Sequence, residues 1–137
     1  MGIALETFII DDDNIIHFLT THTLKAANYP GNITSFLSAR EALKCLLPNI
    51  LVNVPQVIFL DLNMPEMNGW EFLAALAPYK HQLLNQCRIY ILTSSLDMAD
   101  IAMSEECELV GGYINKPLDQ ASIKLVLDQV ENMYEKV

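Results

Sequence analysis

The chain of 137 residues carries 17 acidic and 8 basic side chains, giving a formal net charge of −9, and 52% of its residues are apolar. That length sets an expectation of one domain over 1–137, with its core at about 7–134 and no output domain. The charge argues against direct nucleic-acid binding, which rests on phosphate neutralisation. No apolar run nears the roughly 18 residues of a membrane span, and Met1-Gly2 lacks the Ser or Thr of a myristoylation site, Glu6 standing there. No signal peptide is visible. Cys45, Cys87 and Cys107, odd in number and far apart, show no metal or disulfide spacing, so reduced thiols in a cytoplasmic protein are expected.

In chain order, Thr7-Phe8-Ile9-Ile10 is an apolar strand followed by Asp11, Asp12 and Asp13. Residues 14–28 carry Ile15, Leu19, Thr23 and Ala26 at helical spacing, with Ile16 and Phe18 alongside, and Pro30-Gly31 breaks the pattern. Residues 32–36 read as a short strand. Ser38-Ala39-Arg40-Glu41 is a capping box for a helix reaching about residue 47, before Pro48. Residues 56–60 form an unalternating apolar run, the mark of a strand buried on both faces. It ends in Asp61, with Asn63, Pro65 and Gly69 as loop punctuation. A helix from Gly69 carries Phe72, Leu73 and Leu76 and stops near Pro78; residues 79–86 are a further irregular or helical piece. Residues 88–92 form a fourth strand, ending in Thr93-Ser94-Ser95. A weakly amphipathic, surface-lying helix covers about 97–106. Gly112-Tyr113-Ile114-Asn115 is a fifth strand, ending in Lys116-Pro117. Asp119 caps a last helix whose stripe is Ile123, Val126, Leu127, Val130 and Met133.

This β-α alternation, five times over, predicts an α/β fold with a parallel sheet, helices on both faces and right-handed crossovers. Ligands of such sheets sit at the carboxyl ends of the strands. Asp11-Asp12, Asp61, Thr93-Ser94 and Lys116 therefore converge on one edge. Like charges repel there by about 1 kcal/mol per pair at 4 Å in water, and about 4 at an effective dielectric of 20. Such a cluster calls for raised pKa values or a cation, and carboxylates with room for water suit Mg²⁺.

The acidic pair after strand one, Asp-Leu-Asn-Met-Pro-Glu-Met-Asn-Gly over 61–69, Thr-Ser after strand four and Lys-Pro after strand five resemble the receiver domain of two-component response regulators. The resemblance covers nearly the whole chain. It implies a CheY-like, flavodoxin-like (βα)5 doubly wound sheet of strand order 2-1-3-4-5. It also implies a stand-alone phosphoprotein switch in a phosphorelay. Asp61 would be the phosphoacceptor, fed by a histidine kinase or histidine phosphotransfer protein. Mg²⁺, or Mn²⁺, would be held by Asp11, Asp12, Asp61 and the backbone carbonyl of Asn63. Lys116 would pair with Asp61 and then with the phosphoryl group. Thr93 would place its hydroxyl on a phosphoryl oxygen, Tyr113 would be the aromatic switch, and the Lys116–Pro117 bond would be cis. The downstream protein would meet the face made by the fourth helix, the fifth strand and the last helix.

Two details stay open at this point. Asp13 makes a run of three acids, so the ligand pair has two possible registers; Asp11 and Asp12 are favoured because they follow the apolar run directly. The interval from Thr93 to Lys116 is one residue longer than in commoner members, leaving Ser94 as a rival hydroxyl. An aspartyl-phosphate phosphatase acting on external substrates usually carries a second acid two residues after the nucleophile, where this chain has Asn63. The protein is therefore expected to catalyse only its own phosphorylation and dephosphorylation. A degenerate receiver would lack an acid, the Thr or the Lys, and none is missing. His17, His22 and His81 show no ligand spacing and are read as structural or surface residues, and Trp70 as packing at the start of its helix.

Overall fold

Branched and aromatic side chains build five parallel strands in the computed structural model, which describes residues 5–94 and 97–135. Ser95 of the Thr-Ser-Ser run and Met1-Gly2 lie outside those residues. The strands are β1 (Leu5–Ile10), β2 (Gly31–Phe36), β3 (Val57–Leu60), β4 (Arg88–Thr93) and β5 (Val110–Asn115), in the order β2-β1-β3-β4-β5. The longer helices are α1 (Asn14–Ala26), α2 (Ala39–Leu46), α3 (Gly69–Leu76), α4 (Met98–Glu106) and α5 (Gln120–Glu135). Pro48 and Pro78 fall inside the 3₁₀ turns Leu47–Asn49 and Ala77–Tyr79, and a single helical turn, Lys80–Leu83, follows the second.

β3 is buried on both sides because its neighbours in sequence point to opposite cores. Ile58 and Leu60 join Phe8, Ile10, Leu46 and Phe72 on one face, while Val57 and Phe59 join Ile9, Leu24, Tyr90 and Val126 on the other. Each such side chain contributes about 1.5–3 kcal/mol on burial. From β1 the chain crosses to β2 on one side and next returns to β3 on the other. The switch point therefore lies between β1 and β3, whose last residues Ile10 and Leu60 are register partners.

The helical reading of 14–28 holds for the element but not for its inner face. His17, Thr20 and Leu24 are buried, whereas Ile15, Phe18 and Leu19 are 67%, 70% and 43% exposed. The helix is oriented from its start: Asp13 caps it through the Ile15 N–H, and the His17 ring is tied to backbone beneath. The chain leaves the helix at Ala27, and Asn28 takes φ 57°. Ser38 makes half of the expected box, accepting from the Glu41 N–H at 3.1 Å; Glu41 itself pairs with Lys44. The complete box stands at α3, where Asn68 accepts from the Glu71 N–H and the Glu71 side chain accepts from the Asn68 N–H. Strand β5 starts at Val110 rather than Gly112. Ile89 pairs with Val110 and Tyr90 with Gly112, so Gly111 is an inserted bulge residue.

Candidate functional site

Ladder hydrogen bonds carry both acids to the switch point. The Asp61 N–H donates to the Ile10 carbonyl at 2.9 Å, and the Asp11 N–H to the Phe36 carbonyl at 3.1 Å. Both carboxylates are buried, while Asp12 is exposed. Gly69 lets the loop close tightly: a Cβ there would lie 2.7 Å from the Asp61 carbonyl oxygen, and its N–H donates to the Leu62 carbonyl at 3.0 Å. Lys116 reaches in from the end of β5. Its Nζ lies 2.7 Å from Asp11 Oδ2 and 3.3 Å from Asp61 Oδ1, with its side chain only 12% exposed. The Lys116–Pro117 peptide is cis.

One ammonium does not neutralise this cluster. Burial pushes the Asp61 carboxyl above the ordinary aspartate value, and the charge of Asp11 pushes it further; Lys116 and the Asn63 backbone N–H oppose them. Burial pulls the Lys116 ammonium down, but the bond to Asp11 and the charges of both acids outweigh it, and its pKa ends raised. Asp11 Oδ2 meets Lys116 as an ion pair at 2.7 Å and has no other partner among the described residues, so this buried oxygen keeps lone-pair capacity. One oxygen from each of Asp11, Asp12 and Asp61 lies within 4.8 Å of the others. An all-oxygen donor set with surplus negative charge and an under-bonded buried oxygen fits a hard divalent ion. Asp13 accepts from Ile15 N–H as the cap of α1 and stands outside this group of Asp11, Asp12 and Asp61.

Thr93 is the inward hydroxyl. It is 1% exposed, pairs with Asn115, and its carbonyl accepts from the Lys116 N–H at 2.7 Å, whereas Ser94 is exposed. Within the interval from Thr93 to Lys116, Gly111 is the bulged residue of β5. A Cβ on Gly111 would press to 3.0 Å from the buried Tyr90 ring, which explains why glycine fills that place. Tyr113, half-buried, lies between Thr93 and α4. Burial raises its phenol pKa, as do the charges of Asp100 and Asp97, while hydrogen bonds to the Thr93 side chain and the Asp97 backbone lower it.

Three contacts were not legible in the sequence reading. His17 Nε2 lies 2.7 Å from the Asp11 carbonyl and 3.1 Å from that of Phe36. Trp70 Nε1 donates to Asp100 Oδ1 at 3.1 Å, tying α3 to α4. The solvent face of α1 carries Ile15, Phe18 and Leu19, with the His22 ring stacked on Phe18 at 6.3 Å. A polar residue in an apolar first turn is the only sequence trace of the first.

The fold and site together define a doubly wound, flavodoxin-like protein with paired acids and a lysine at its switch point. The chain belongs to the response regulator receiver domain family, whose model matches residues 7–128. It is similar in structure to a two-component response regulator from Cytophaga hutchinsonii, with 30% identity and a TM-score of 0.87 over 95% of this chain and 99% of that one. A chemotaxis protein of Vibrio cholerae shares 25% identity at a TM-score of 0.72 over 93% and 99% of the two chains. A CheY-like receiver domain from Methanospirillum hungatei shares the fold at 18% identity, with a TM-score of 0.74 over 98% and 100%. A comparison with curated proteins found no match. Membership makes this a receiver of two-component signalling. No described helix is long and apolar enough to cross a membrane.

Proposed function

We propose that Asp61 accepts a phosphoryl group from a histidine kinase or histidine phosphotransfer protein, in the cytoplasm, and that the modified receiver offers a changed surface to a protein target. The observation that carries this is Asp61 itself: a buried carboxylate at the switch point, facing Asp11 and within 3.3 Å of Lys116. An Asp61 oxygen bonds phosphorus as the bond to the donor imidazole nitrogen breaks, and the electron pair leaves with the imidazole. Phosphoryl transfer asks mainly for placement and charge neutralisation. Asp11, Asp12, Asp61 and the Asn63 carbonyl would hold Mg²⁺, or Mn²⁺, which supplies the countercharge for the incoming phosphoryl oxygens. Lys116 loosens from Asp61 and pairs with the phosphoryl group. Thr93 donates its hydroxyl to a phosphoryl oxygen, and Tyr113 follows it. The protein turns over no external substrate and catalyses only its own phosphorylation and hydrolysis. The exposed apolar stripe of α1 begins beside the acidic loop, which supports docking of the protein donor there. The signal leaves by the α4–β5–α5 face, where Tyr113 joins Thr93 to the start of α4.

Incubation with Mg²⁺ and acetyl phosphate, followed by intact mass, tests the core of this reading. One phosphate is expected on the wild type and none on Asp61→Asn. Equal labelling of that variant would overturn the assignment.

A further inference from the structure

His17 is the buried polar group that the phosphorylation chemistry leaves unused. It is 7% exposed and sits at the fourth residue of α1, with its ring turned back beneath the acidic loop. Nε2 lies 2.7 Å from the Asp11 carbonyl oxygen and 3.1 Å from the Phe36 carbonyl oxygen. Both neighbours are acceptors only, so Nε2 carries the proton and donates to both. Nδ1 is buried and has no hydrogen-bond partner among the described residues. A ring held for packing alone would not need its one donor aimed at both the carbonyl just beyond β1 and the last carbonyl of β2.

The consequence lies in what the Asp11 carbonyl controls. The rest of Asp11 is fixed by other groups: its N–H by Phe36, Oδ1 by the Asp13 N–H at 2.9 Å, and Oδ2 by Lys116. The carbonyl belongs to the peptide plane that leads into Asp12. The Asp12 side chain is exposed and has no hydrogen bond or ion pair among the described residues, so the backbone position is the one thing that fixes the point from which its carboxylate reaches the site. By anchoring that peptide to the end of β2, His17 fixes where the Asp12 carboxylate meets those of Asp11 and Asp61.

We propose that His17 is a positioning residue for the cation site, acting through the Asp11–Asp12 peptide. This rests on the reading of the three carboxylates as a Mg²⁺ site. Partners that orient metal ligands typically change metal affinity by about 10–100-fold when removed. Gln can place an amide N–H near the position of Nε2, whereas Leu and Phe keep bulk without a donor.

The experiment is a Mg²⁺ titration of the unphosphorylated protein, followed by the fluorescence of Trp70 and by calorimetry, with metal-free melting measured in parallel. About tenfold weaker binding is expected in His17→Leu and His17→Phe, with recovery in His17→Gln. A lower melting temperature with an unchanged Mg²⁺ dissociation constant would make His17 a packing residue and overturn the proposal. Asp12→Ala separates the two layers. If the wild type and Asp12→Ala respond alike to Mg²⁺, the site reading fails, and this inference with it. If Asp12→Ala loses the response but His17→Leu keeps it, only the inference fails. Imidazole ¹⁵N spectra of the wild type make the test independent of how the variants fold. Nε2 should be the protonated nitrogen, and its proton signal should move along the same Mg²⁺ curve as the Asp12 amide. A signal that stays still through the titration overturns the proposal.

Discussion

At the scale of single residues, the site stores unfavourable charge in the metal-free state. The Asp61 carboxyl is raised first by burial and then by Asp11. A carboxyl whose folded pKa exceeds its unfolded value favours the fold fully below about pH 3.9, and that contribution is lost as pH rises through the folded value. At neutral pH the ionised Asp61 therefore works against folding. Asp61→Asn should melt a few degrees higher than the wild type at pH 7 without metal, and the gain should shrink steadily as the pH is lowered towards 4. Lys116 has the opposite consequence. Its pKa is also raised, so its support is complete below about pH 10.4 and is lost as pH rises beyond. Melting curves against pH, with and without Mg²⁺, check both signs; a variant less stable than the wild type throughout would contradict the charge argument. Asp61 and Lys116 were legible in the sequence because each closes an apolar strand. His17 was not, because a bond from a ring to a carbonyl six residues earlier leaves no spacing signal.

At the scale of elements, α4 is the least anchored helix. Ser104 is its one buried residue, and Met98 and Met103 are 80% and 48% exposed. The Trp70–Asp100 bond therefore matters more to α4 than one bond would matter to a helix with a broad apolar face. Trp70→Phe keeps the packing of the ring on the core but removes the donor, at a cost of about 1 kcal/mol. Amide exchange should accelerate over 98–106 and change little in α2. Adding Asp100→Ala should accelerate it little further, because the two changes remove the same contact. Additive effects would show that the bond does not hold the helix. Sequence periodicity marked α4 correctly as a surface helix, since weak amphipathicity and weak anchoring have one cause. The same periodicity misjudged α1, where apolar residues recur on the solvent side and the buried side holds His17 and Thr20. The β5 bulge was hidden for a different reason. Gly111-Gly112 can be paired or inserted, and only the register with β4, set by the Tyr90 ring, decides which.

At the scale of the whole molecule, the acidic edge must be linked to a face that a target can read. The contacts already run in that direction. Lys116 joins Asp61 to the end of β5, its N–H holds the Thr93 carbonyl, and Tyr113 bridges Thr93 to the first turn of α4. A phosphoryl group on Asp61 adds negative charge and strong acceptor oxygens beside Lys116 and Thr93. The Thr93 hydroxyl then has a charged acceptor to compete with Tyr113. Any rearrangement is transmitted first to the longer helix with the fewest buried residues, which is α4. A target shifts this population only by its differential affinity for the two states, and coupling of about 1–3 kcal/mol is typical and reciprocal. Phosphorylation should therefore alter hydrogen exchange mainly within 93–118, among the residues that can be followed there, and leave α2 almost unchanged. Thr93→Ala should accept phosphate on Asp61 but lose that response, because it lacks the hydroxyl that connects the phosphoryl group to Tyr113. Exchange measured on both proteins, with phosphate occupancy fixed by intact mass, separates transfer from transmission. If protection across 93–118 is the same in the phosphorylated and unphosphorylated wild type, the signal does not travel by this route, however well Asp61 is labelled.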